Sequence, residues 1–332
     1  MSDPSPIARK THTVQATAYI TERHYEMQIV VADPNGKTIW MNPAFGCDLM
    51  AQRIFSFIDT SVADLVDFFF GYNQSVQTGN VWKNTFDVSE AFNGLFSPGT
   101  KPIQEIIGII DRAIDFDPSG FNFALRNCAR MLQFGERLDG YDLVTEELVR
   151  HDLTKSLELS PNGALTHAIA SHAFSLFLQD DNLAVAHAQK SVAMQPKNGL
   201  WAAFLSLALL RSGRVDEAAM WTNRAHNVPQ EHAGFIGAVA CACFTTLGDF
   251  NRATYHGERA LQLNPNFNAT QKYLFACYAH LGEPQRAEQL ASKIVQVDQA
   301  FGQKGLLSGE SALNVKPAIT VLSEAARIVG LR

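Results

Sequence analysis

Four stretches in the second half of the chain share one frame at a fixed period, and that period limits the possible folds more than any other feature. Gln179, Gly213, Gly248 and Gly282 follow one another at intervals of 34, 35 and 34 residues. Five positions after each stands an alanine: Ala184, Ala218, Ala253 and Ala287. Three frames end on a proline (Pro196, Pro229, Pro265), and the fourth has Gln299 in that place. Each residue has a physical task. Gly248 stands where a first helix stops and reverses, a corner that needs a positive φ. Asp249 is placed to cap the next helix. Ala253 and Ala260 are small where two helices press together, Leu261 and Leu263 supply bulk at the far end, and Pro265 ends the helix. Gly282, Ala287, Ala291 and Ile294 repeat the plan, as do Gly213, Ala218 and Ala225. In the earliest copy Gln179 replaces the glycine, and Asp180 or Asp181 starts the second helix. A unit this short cannot enclose a core of its own, so successive units must stack.

A repeat of this length, written as two amphipathic helices about a Gly-centred turn, resembles the tetratricopeptide (TPR) class. The resemblance implies a mainly α fold, a TPR-type α-α superhelix. Weaker copies lie upstream. Ala113 and Pro118 stand in the places of Ala260 and Pro265, and Pro161 marks another helix end, with an irregular connection through Gly135 to Asp142. Five to six helical pairs are expected over residues 88–310. A capping helix is expected over 311–332, with Pro317 in its first turn and Ile319, Leu322, Ala326 and Val329 on one face.

Before the repeats the pattern changes to period two. Apolar positions alternate over Tyr25, Met27, Ile29 and Val31, break at Asp33, Pro34, Asn35 and Gly36, and resume with Thr38 and Trp40, which predicts a β-hairpin. Residues 12–20 read as a further strand. Ile54, Phe57, Ile58, Val62, Leu65, Val66 and Phe69 then recur at helical spacing. After a disordered lead over 1–12, residues 13–87 are thus expected to form a small α+β module. The segment Val31 to Trp40, with Asp33, Gly36 and Trp40 in order, resembles the end of a small TolB-like domain. That domain precedes TPR helices in bacterial winged-helix transcriptional activators and class III adenylate cyclases. The resemblance implies a regulatory half without its effector. If Met1 is the start, the partial sheet has an open edge, which points to a homodimer or to pairing with a separate DNA-binding or cyclase chain.

Composition narrows the rest. No run of about 18 apolar residues provides a membrane span, and the first residues lack the apolar core of a signal peptide. Cys47, Cys128, Cys241, Cys243 and Cys277 have no CxxC pairing, which suits a reduced cytoplasmic setting with thiols as small apolar fillers. A net charge of −6 argues against direct nucleic-acid binding. Phosphate-loop, dinucleotide, zinc-protease and nucleophile-elbow motifs are absent, so no enzyme, cofactor or metal is expected. His167, His172 and His187 read as packing or surface histidines, Asp111, Asp115 and Asp117 as solvated charge, and Trp201 and Trp221 as core.

The remaining functional surface is the concave face, lined by the first helix of each pair. Register selects Ile169, Ala173 and Leu176; Ala203, Leu207 and Arg211; Ala238, Ala242 and Thr246; Lys272, Ala276 and His280. A small, apolar lining with basic points at Arg211, Lys272 and His280 suits a helical protein partner carrying acidic residues. The competing expectation is that the chain fills this groove itself, with its C-terminal helix or its hairpin module. The expected function is a non-enzymatic protein-protein interaction scaffold in signalling or transcription regulation. Alternatives are a small-ligand sensor and the regulatory half of a split adenylate cyclase.

Overall fold

A computed structural model describes residues 13–20, 24–32, 38–41, 45–48, 91–92, 94–96, 101–116, 118–196, 198–226, 233–309, 311 and 315–331, those of 13–48 by backbone only. The chain divides into two compact units, residues 1–82 and 83–332. In the first, strands β1 (Thr13–Ile20), β2 (His24–Ala32), β3 (Thr38–Met41) and β4 (Phe45–Asp48) form one antiparallel sheet. β1 pairs with β2 along its whole length, from Thr13↔Ala32 to Ile20↔Tyr25. On the other side of β2, β3 pairs at Val31↔Trp40 and β4 at Tyr25↔Cys47. The amphipathic segment expected from Ile54 to Phe69 lies outside the described residues.

The second unit is helical. After helical residues 91–92 and 94–96 come α1 (Ile103–Phe116), α2 (Gly120–Gly135) and α3 (Glu146–Leu159). α4 (Ala164–Leu176) and α5 (Asp181–Met194) follow, then α6 (Gly199–Arg211) and α7 (Val215–His226). α8 (Ala233–Leu247) and α9 (Phe250–Leu263) precede α10 (Asn268–His280) and α11 (Pro284–Val297). The short α12 (Gln303–Ser308) and α13 (Lys316–Val329) end the described chain. From α2 to α11 the helices associate as consecutive hairpins, and α2, α4, α6, α8 and α10 stand side by side as an inner row.

The hairpin corners are one structure repeated. Gly213, Gly248 and Gly282 have φ of 82°, 78° and 78°, and Gln179, the residue in register with them, has φ 52°. At Gly248 the N–H donates to the Thr245 carbonyl and the Asp249 N–H to the Phe244 carbonyl, the paired bonds of a Schellman end. Gly213 and Gly282 repeat both bonds. Arg137, at φ 54°, closes α2 in the same way through Leu138 N–H to the Gln133 carbonyl. It is a fifth corner, hidden in the sequence because it is not glycine. The irregular connection beyond it contains a 3-10 turn over Tyr141–Leu143.

The other local expectations follow the same chemistry. Asp249 accepts from Arg252 N–H at 3.3 Å, and Asp180 rather than Asp181 caps α5 by accepting from Leu183 N–H at 3.0 Å. Ala184, Ala218, Ala253 and Ala287 are all completely buried. Leu263, expected to fill the far end of its hairpin, is instead exposed. Arg126 and Arg130 clamp the wholly buried Asp152 between α2 and α3, and Arg126 also reaches Asp111 at 2.8 Å. Asp111 is therefore paired while its side chain stays 46% exposed, so the charge is also solvated as expected.

Candidate functional site

The inner row of helices carries all twelve residues selected by register, and the structure shows how far that face is open. Ile169, Ala173, Leu176, Ala203, Leu207, Ala238, Ala242, Lys272 and Ala276 are buried, and Arg211, Thr246 and His280 partly so. α6 is buried continuously from Gly199 to Leu210. An inner helix open to a groove would expose one stripe. Most of the register-selected positions are therefore covered within the second unit.

Two segments of the same unit provide the cover. Phe96, from helical residues 94–96, meets Phe204 of α6 edge-on at 6.1 Å and Phe235 of α8 at 5.9 Å. At the other end α13 lies against α10 and reaches α8 and α6. It buries Ala318, Leu322, Ala325 and Ala326. Its small residues face inner helices that are themselves rich in alanine, which permits close backbone approach. His280 Nε2 donates to the Val321 carbonyl at 3.2 Å, and its ring stacks on Phe250 at 4.5 Å. Leaving so many small apolar residues in water is unfavourable at roughly 25 cal/mol per Å², which is why a self-supplied cover forms.

The three basic points of the lining also turn inward. Lys272 donates to Asp298 at 2.7 Å, and its ammonium lies 5.7 Å from the Phe301 ring centre. Asp298 also accepts from Ser311 Oγ at 2.7 Å. Lys272, which sequence placed at the partner surface, is thus an internal tie between α10 and the chain after α11. Burial lowers its pKa from the usual lysine value, and Asp298 opposes that shift. Arg211 Nη1 donates to Ser175 Oγ at 2.8 Å and lies 3.0 Å from His172 Nδ1. Burial pushes Arg211 down to about 10, and burial and the Arg211 charge hold His172 well below its ordinary value.

Other clusters are bounded by the same packing. His167 and His187 do meet across the α4/α5 hairpin, with Nδ1 atoms 2.8 Å apart, and His167 Nε2 donates to the Pro161 carbonyl. That geometry consumes the ring nitrogens that face each other. Among the described residues no group of three or more His, Cys, Asp or Glu side chains is placed to hold a metal ion. Cys128, Cys241, Cys243 and Cys277 are buried free thiols, and Trp201 lies in the core while Trp221 is half-buried. No described helix is long and apolar enough to cross a membrane.

Residues 178–300 match a family model described as the Psidin N-terminal TPR repeats region. No curated protein matches the sequence. Among solved structures, the human IFIT1 dimer with m7Gppp-AAAA is similar at 16% identity and a TM-score of 0.50, over 74% of this chain and 58% of that one. The type IV pilus biogenesis factor PilW is similar at 16% identity and 0.42, over 60% and 90%. TTC0263, a TPR protein of Thermus thermophilus, is similar at 11% identity and 0.41, over 62% and 96%. With its repeated left-handed corners and paired helices, and with residues 178–300 matching a TPR model, the second unit is a helical stack of tetratricopeptide type.

Proposed function

We propose that the protein is a non-enzymatic interaction scaffold with a regulatory role, and that its inner face receives a helical segment of a protein partner where α13 now lies. One observation carries this reading. An amphipathic helix already occupies the face in cis, with Leu322 and three alanines turned to α6, α8 and α10. Helix-in-groove recognition uses the same i, i+3, i+4, i+7 anchors. In this reading the N-terminal sheet belongs to a small α+β module akin to part of a TolB-like domain. One sheet edge pairs with a second copy or with a DNA-binding or cyclase effector chain, and the setting is cytoplasmic. Repeat proteins of this fold ordinarily serve as binding scaffolds rather than catalysts.

The test uses α13 as its own probe. A fluorescent peptide of residues 311–332 is titrated into the full chain, into a chain ending at residue 310, and into full-length Leu322→Glu. Binding to the two opened forms but not to the wild type is expected. Any cellular partner captured by the opened forms should be released by the same peptide. A peptide that binds none of the three would sink the reading.

A further inference from the structure

We propose that the inner side of α4 and α6 forms a binding site for a small carboxylate, anchored by Arg211. The inference does not rest on the docking of a partner helix.

A cation removed from water needs an anionic partner or it destabilises the fold. The other enclosed basic side chains obey this: Lys272 has Asp298, and Arg126 and Arg130 share Asp152. Arg211 is different. Its Nη1 is held by Ser175 Oγ and His172 Nδ1, both neutral groups. Its Nε is shielded from solvent and has no hydrogen-bond partner, and no carboxylate pairs with it among the described residues. Asp181, at the start of α5, acts on it only through space.

The surroundings lack an acceptor rather than a donor. Tyr273 of α10 is buried close enough for its phenol and the Arg211 charge to influence each other. Ser171 Oγ, one turn before Ser175 on α4, is buried and also unpaired. Arg211 Nε and Ser171 Oγ are thus unused polar atoms beside the Ser175 contact, with no carboxylate hydrogen-bonded to either.

The chemistry of the missing group follows. Nη1 is used, which leaves the Nε and Nη2 edge of the guanidinium, two parallel N–H groups at the spacing of a carboxylate's two oxygens. With His172 neutral and Tyr273 protonated, the site carries a single positive charge. A monocarboxylate balances it, whereas a phosphate dianion would leave a buried negative charge. Arg211 as a whole is partly buried, but its Nε is shielded from solvent, which favours a small molecule over an acidic side chain presented by a partner.

The experiment uses the full chain and acetate as the probe. Line broadening of 13C-labelled acetate, and melting temperature in sodium acetate against sodium chloride at matched ionic strength, are measured at pH 7 for wild type, Arg211→Lys and Arg211→Gln. Saturable broadening and a saturable rise of about 3 °C are expected for wild type alone. Arg211→Lys keeps the charge but loses the fork, and should bind at least about 10-fold more weakly. Wild type that responds equally to acetate and chloride overturns the proposal, and this result does not depend on any variant folding. Equal acetate binding by Arg211→Lys, or stronger binding of sulfate or phosphate, would also overturn it. Binding of a Glu-bearing helical peptide without binding of acetate would assign the site to a protein partner instead and reject the small-molecule form.

Discussion

Glu136, the residue after α2, accepts the backbone N–H of Ala269 at the start of α10 at 3.1 Å, across 133 positions of sequence. The contact ties an early hairpin to the last one and brings Glu136 within the field of Lys272. Burial pushes its carboxyl up to about 7, against the opposing pull of the Ala269 and Asn268 N–H groups and Lys272.

A pH dependence follows from that tie. Glu136 holds its proton more tightly folded than unfolded, so the stability it contributes is full below about pH 4.5 and is lost as pH rises through about 7. At roughly 1.4 kcal/mol per pH unit the loss amounts to about 3 kcal/mol. Glu136→Gln keeps an oxygen for Ala269 N–H and removes the titration. It should be the more stable chain in urea at pH 8 and lose that advantage at pH 5. The buried histidines shift both chains alike, so only the difference is read.

The corner residues make a paired prediction. Gln179 adopts φ 52°, a conformation glycine reaches without steric cost. Gln179→Gly should raise stability by about 1 kcal/mol. Gly248→Ala should lower it by about 1 kcal/mol, because nothing lies within 4 Å of an added Cβ and only the backbone conformation resists. Chemical denaturation of both variants reads the two signs.

At Gly257 the resistance comes from packing. A Cβ there would lie 2.7 Å from Cys241 Sγ and from Leu274 Cγ, where α9 meets α8 and α10. Gly257→Ala should cost about 1–3 kcal/mol. Pairing it with Leu274→Ala should be less than additive in a double-mutant cycle.

Lys272→Met strands Asp298 in the interior and should cost about 3–5 kcal/mol. Lys272→Met combined with Asp298→Leu should recover most of it, since the charges leave together. A double variant no more stable than the single one would contradict this account of the tie.

Some of these features are legible in the linear chain. Gly213, Gly248 and Gly282 mark their corners because only glycine takes that backbone at no cost, and Asp180 and Asp249 mark caps through short side chains that reach back to the helix. Arg137 carries no such mark, so the corner at the end of α2 is invisible before folding. The inner lining can be picked out as a row, from Ile169 to His280, but its openness cannot. Whether the row meets water depends on segments far away in sequence, Phe96 against Phe204 and Phe235 and α13 against α10. Lys272 reads as a partner contact because Asp298 and Ser311 stand 26 and 39 residues further on.

Helix pairs, their reversals and their stacking order are settled by interactions within about 34 residues, so a reader of the linear chain reaches them directly. The closure of the inner face, the tie from Glu136 to Ala269 and the isolation of Arg211 are not settled that way. They arise when the stack brings distant segments together. Burial then decides which charges are paired, and which one is left facing neutral groups.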